Sequence, residues 1–235
     1  MNNGFVRISS GAGKEEKMGN NENMLPQEKE KKGTKKGIAG PGDIGGGLAI
    51  GFGTLCFCFW ANAMGFCDTE GFELAIGVVL LGFFVIYLVG GLYYLRLGNT
   101  LSGCVYVVFA TSFGLFGGAV NVGHALCSYS GIPFDNTIGG ISFLISGTFV
   151  LFLLPGLRYS AKVDFLVFFF AGIGVSASGL SGLGIMTVMT GMLSGWALLF
   201  SGICVYYSAV AGVLKTTGID VPCGRPFFKQ KTVDG

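Results

Sequence analysis

The apolar stretch from Ile44 to Leu214 holds few side chains able to do chemistry. An amide inside such a stretch needs partners or water, which makes Asn62 and Asn121 candidates to line a polar path. Thr111 and Ser112, near the middle of the same apolar segment as Asn121, join them. His124 is the single histidine. Standing near a helix end, it reads first as an interfacial residue and only then as a proton relay. Tyr206 and Tyr207 read as anchors that hydrogen-bond neighbouring helices. No nucleophile with its base, paired carboxylates or metal-ligand cluster can be assembled from these groups, so no catalytic residue, metal or cofactor is assigned. A primary pump would need a phosphate loop, and the chain has none. A strongly cation-selective pore would carry a carboxylate ring or a carbonyl filter, and neither is written here. A path for a small, weakly charged or neutralisable solute remains, or a membrane scaffold with no path.

The elements that must position these groups are membrane spans. Only 12% of residues are charged, against about 25% in a soluble domain. The apolar stretch divides into six segments at 44–66, 73–95, 103–124, 137–156, 165–185 and 191–214, each close to the roughly 20 residues a helix needs to cross a bilayer. The eight charges between Ile44 and Leu214 (Asp68, Glu70, Glu73, Arg96, Asp135, Arg158, Lys162 and Asp164) fall at predicted ends or in connections. All fifteen Lys and Arg can lie on one side: eight before the first segment, Arg96 after the second, Arg158 and Lys162 after the fourth, and four after the sixth. The positive-inside rule assigns that side, with both termini, to the cytoplasm. A net charge of +2 gives no nucleic-acid surface. The expected fold is therefore all-α, a six-helix polytopic bundle in the plasma membrane.

Residues 1–40, rich in Asn, Glu, Lys and Gly, read as a disordered cytoplasmic tail without a secretory signal. Residues 41–214 form the transmembrane domain and 215–235 a cytoplasmic C-terminal tail. Short connections force consecutive helices to be antiparallel neighbours; the outer loop Ala125–Asn136 is the long one. Cys67 and Cys127 both fall on the outer side, where an oxidising compartment could pair them. Forty-two glycines, most of them inside the segments, permit the close backbone approach by which helices associate in lipid. Gly47/Gly51, Gly114/Gly118 and Gly191/Gly195 each share a helix face. Gly42–Gly47 opens the first segment, where bare backbone N–H groups could meet an anion or be capped by Asp43.

Two stretches resemble the acetate uptake transporter family, the YaaH-type proteins. One runs from Gly91 through the corner Gly98-Asn99-Thr100 to Ala110-Thr111-Ser112-Phe113-Gly114. The other is Gly195-Trp196 leading to Tyr207-Ser208-Ala209. The resemblance covers roughly residues 40–225. It implies six-helix subunits assembled as a homo-oligomer, commonly a hexameric ring, each with a path narrowed by an apolar constriction. By position that constriction is Phe52, Phe113 and Ala171, with Phe170 as occupant if the register slips by one. The family's Asn-Pro-x-Pro signature before the first helix is absent. About four extra residues separate the corner from the Thr-Ser match, and the family's acidic positions near the ends of helices two and six are Tyr94 and Gly212. The expected activity is a channel or proton-linked transporter for acetate or a similar short monocarboxylate. Ammonia passage and a non-conducting scaffold stand as alternatives.

Overall fold

The computed structural model describes residues 44–228. The tail at 1–40, Asp43 and the last residues 229–235 lie outside the described residues. Those described form helices and connections without a strand, and include six helices long and apolar enough to cross a membrane. The protein reads as an integral membrane protein.

Helix α1 is Gly45–Ala63 and α2 is Thr69–Arg96. The third crossing is composite: α3 (Thr100–Phe109), a π-helical segment (Ala110–Gly117) and α4 (Gly118–Tyr129) run on as one rod. Helix α5 (Thr137–Leu153) tightens into a 3-10 turn at Leu154–Leu157, where Pro155 sits. Helix α6 is Lys162–Gly182 and α7 is Thr187–Thr216. All six expected segments are found. Several helices outrun them, because the sequence reading cuts each segment at bilayer length. With 30 residues, α7 extends about 45 Å, well beyond a hydrocarbon core of about 30 Å. The outer loop shrinks accordingly, since α4 continues to Tyr129.

Each crossing packs against its neighbours in sequence, and α7 returns to α1, which closes a ring around a central axis. A close backbone seam joins α5 to α6. Gly140 and Gly147 on α5 face Gly172 and Gly179 on α6, each pair seven residues apart and so on one helix face. A Cβ on Gly147 would land on the Ser176 backbone, and one on Gly179 would lie 2.7 Å from the Leu144 Cα. Gly114 and Gly118 seat the third crossing on α2 in the same way, with a Cβ at Gly114 falling 2.5 Å from the Phe84 Cα. Gly195 meets Ala63 of α1, whereas Gly47 faces open space. The outer surface is apolar: Val78, Val85, Val89 and Leu92 on α2, and Ile138, Ile145 and Phe152 on α5, are exposed, as suits a lipid-facing wall.

The chain after α7 folds back on the bundle end. Tyr207 Oη donates to the Pro222 carbonyl at 3.0 Å, the Val163 N–H donates to the Cys223 carbonyl at 3.3 Å, and Phe227 packs on Phe165. All seven cysteines, Cys67 and Cys127 included, are free thiols.

The seam yields a test. Gly147→Val should cost about 1–3 kcal/mol through overpacking and lower the melting temperature in detergent. Gly82→Ala, at a glycine with open space around it, should leave melting unchanged. Equal melting of the two variants would show that the α5–α6 contact is not close.

Candidate functional site

The site is built from three local devices. The first is the corner after α2. Gly98 adopts φ +76°, a conformation that costs glycine little. This lets its N–H donate to the Leu95 carbonyl and the Asn99 N–H to the Tyr94 carbonyl, both at 3.0 Å, which terminates α2. Asn99 then caps α3, its side-chain oxygen accepting the Ser102 N–H at 3.1 Å. Thr100 opens α3. The three corner residues thus stop one span and start the next without a spare residue.

The second device is the π-helical segment, which holds Thr111, Ser112 and Phe113. A π turn widens the helix and disturbs the regular ladder. The Thr111 hydroxyl donates to the Val107 and Val108 carbonyls, each at 3.1 Å, and the Ser112 carbonyl accepts the Ser142 hydroxyl of α5 at 3.2 Å. Thr111 and Ser112 line neither of the cavities described below; both are occupied in holding this segment. The span expected at 103–124 is thus a composite helix.

The third device is a layer of rings. Phe52 stacks on Phe109 at 5.5 Å, and Phe109 meets Phe113 edge-on at 5.5 Å. Phe113 also contacts Phe59 at 6.2 Å and Phe143 at 4.7 Å. It is 4% exposed and joins α1, the third crossing and α5 at one level.

Two cavities lie on either side of this layer. The first, about 540 Å³, opens among the ends that carry Arg96, Arg158, Lys162 and Lys215, and is lined by residues of every crossing, including Phe52, Phe109 and Ala171. The second, about 320 Å³, lies toward the opposite ends and is lined by Phe59, Phe143, Asn62 and Asn121, again with all six crossings contributing. Phe113 lines neither cavity and separates them. The structure thus brings Phe52 and Ala171 into one cavity and connects them to Phe113 through Phe109. Phe170, the alternative to Ala171, packs on Phe200 and lines neither cavity.

Polar groups are sparse and placed apart. In the first cavity Tyr87 is 1% exposed and its hydroxyl has no hydrogen-bond partner. A buried hydroxyl left unpaired costs free energy unless something in the cavity meets it. Asp164 on α6 accepts the Ser208 hydroxyl of α7 in the same cavity. In the second, the Asn121 amide donates to the Gly117 carbonyl at 2.7 Å, leaving its oxygen for the cavity, and Asn62 stands on the facing helix. Glu73 reaches this cavity from α2 and holds His124 at 2.6 Å, a half-buried pair that the spacing of 51 residues hid from sequence reading. His124 is therefore not the solitary interfacial residue expected. Outside the spans, Asp135 accepts both the N–H and the hydroxyl of Thr137 at the start of α5, which holds its carboxyl below the usual range.

Sequence reasoning missed Phe59, Phe109, Phe143 and Tyr87. Phe52 and Phe59 are two helical turns apart, and Phe109 and Phe113 one turn, so helical spacing carried a signal for four of the five rings. Nothing local distinguished Phe143 from the other phenylalanines.

No protein-family model matches the chain, and no curated protein matches it. Among solved structures, that of the bacterial acetate channel SatP superposes with a TM-score of 0.61, covering 80% of this chain and 98% of that one at 19% identity. The chain has the SatP fold. Since nearly the whole SatP chain is matched, the likeness extends over the entire bundle rather than one half of it.

Phe113→Ala should join the two cavities and destabilise the bundle by about 3–5 kcal/mol. In a liposome-swelling assay the variant should admit glycerol that the wild type excludes. Unaltered swelling, with melting lowered, would show that the layer packs the core without closing a path.

Proposed function

We propose that the protein is a membrane channel or proton-linked transporter for acetate or a similar short monocarboxylate. The observation that carries this reading is the pair of cavities, each lined by all six crossings, meeting at one aromatic layer within the SatP fold. A bare carboxylate pays heavily to enter an apolar layer; the neutral acid pays far less. Near neutral pH the neutral acid is scarce but continuously replenished from the anion.

Cations at the mouth of the first cavity raise the local concentration of anions. Tyr87 Oη waits at its inner wall as a donor, and the Asn62 and Asn121 amides serve the far side. Phe52, Phe113 and Ala171 form the constriction, helped by Phe109. Thr111 and Ser112 support the path by shaping the π segment, and the Gly98-Asn99-Thr100 corner fixes where the third crossing begins. The cation-rich end, with both termini, faces the cytoplasm, and the membrane is the plasma membrane. Subunits assemble as a homo-oligomer, a hexameric ring by the family resemblance, each with its own path. Residues 1–40 and 215–235 flank the 41–214 transmembrane domain as cytoplasmic tails.

Uptake of labelled acetate into liposomes holding the purified protein tests the reading. Uptake above protein-free controls that grows with an inward proton gradient supports a proton-linked path. Uptake indifferent to the gradient supports an anion channel. No uptake, or uptake abolished by ammonium competition, would overturn the acetate assignment. Two variants refine it. Tyr87→Phe should lower protein-dependent acetate uptake by about tenfold, the worth of one hydrogen bond to a charged group, without lowering stability. Phe52→Ala should broaden the path and admit a C4 dicarboxylate; unchanged selectivity would remove Phe52 from the constriction.

A further inference from the structure

Resting on the carboxylate reading, we propose that Asp164, held by Ser208, is the proton-binding group that makes admission to the first cavity depend on pH. Among the described residues, Asp164 is the only acid whose side chain lines that cavity. It is half-buried in the first turn of α6, and its described hydrogen-bond partner is the Ser208 hydroxyl of α7. The pair bridges two of the most closely packed crossings at the wide mouth of the path.

Among the described residues, the groups facing it leave its charge uncompensated. Among the described residues no basic side chain forms an ion pair with Asp164. Lys162, on the same helix, directs its ammonium over the Phe227 ring at 5.2 Å, and Arg158 lies over the Tyr159 ring at 4.7 Å. On α7, Gly212 presents no side chain one turn beyond Ser208, the Thr216 hydroxyl bonds the Val213 carbonyl, and Lys215 is exposed. From α2 and α3 come the phenols of Tyr87, Tyr94 and Tyr106, and from the loop before α6 comes Ser160. In the returning C-terminal segment the Cys223 thiol turns to the Val221 carbonyl, while Asp220 and Arg225 are exposed. The described part of α1 contributes glycines, Leu48, Ala49 and Phe52, none of which titrates.

An ionised Asp164 therefore repels a carboxylate sharing its cavity, since like charges at close range disfavour one another. A proton taken from solution onto Asp164 removes that repulsion, and substrate anion and proton occupy the cavity together. The Ser208 hydroxyl holds the carboxylate in place on the cavity wall.

Tracer exchange of labelled acetate, at equal pH on both sides of the liposome, tests this with wild type, Asp164→Asn and Asp164→Ala. The ratio of the Asp164→Asn rate to the wild-type rate cancels the substrate's own ionisation and leak. It should be near one in acid, at about pH 4, and rise about tenfold by about pH 7, as repulsion from the charged carboxylate sets in. Asp164→Ala, which also removes the charge, should show the same rise. A ratio constant across pH would overturn the assignment, as would a constant Asp164→Ala ratio should Asp164→Asn fail to assemble. A wild type exchanging no acetate at any pH would overturn the reading of the site and this assignment with it, whereas a constant ratio removes Asp164 alone.

Discussion

Backbone polar groups have no water to meet inside a bilayer, and the whole bundle answers that constraint. Each crossing is helical because only a helix satisfies its own N–H and C=O groups in hydrocarbon. Where the ladder is interrupted, a named group repairs it. The π segment of the third crossing is held by the hydroxyls of Thr111 and Ser142, and the end of α2 is closed by the Gly98 corner. With backbone demands met internally, lipid gives little drive for helices to associate, and packing depends on how near two backbones can come. Glycine supplies that nearness at Gly147 and Gly179 on the α5–α6 seam and at Gly114 against α2.

Close packing at the periphery leaves the axis to larger side chains. Five phenylalanines gather at one level, and the space above and below them stays open as two cavities. On the proposed reading, an apolar layer between the two cavities would resist a hydrated ion and a bulky solute and admit a small neutral or neutralised one most easily.

Much of the architecture was legible from composition alone. The six apolar segments were readable as spans because hydropathy acts locally along the chain. The glycine pairs at Gly114/Gly118 were legible for the same reason. What escaped were contacts set by tertiary geometry. Glu73 and His124 meet only when α2 and α4 pack. Asp164 and Ser208 meet only across α6 and α7. No residue type marked the π segment, and Tyr87 looked like any other aromatic residue in an apolar helix until its hydroxyl proved to be buried beside a cavity without a partner.

The central claim is that Phe113 and its neighbouring rings divide one continuous axis into two cavities open to opposite sides of the membrane. Single cysteines at Ala49, in the first cavity, and Asn62, in the second, both on α1, test it in a background with the native cysteines replaced. A charged, membrane-impermeant thiol reagent added to one side of sealed, oriented vesicles should modify the cysteine at 49 only from the cation-rich side and the cysteine at 62 only from the other. Modification of both from one side, or of neither from any side, would contradict the account.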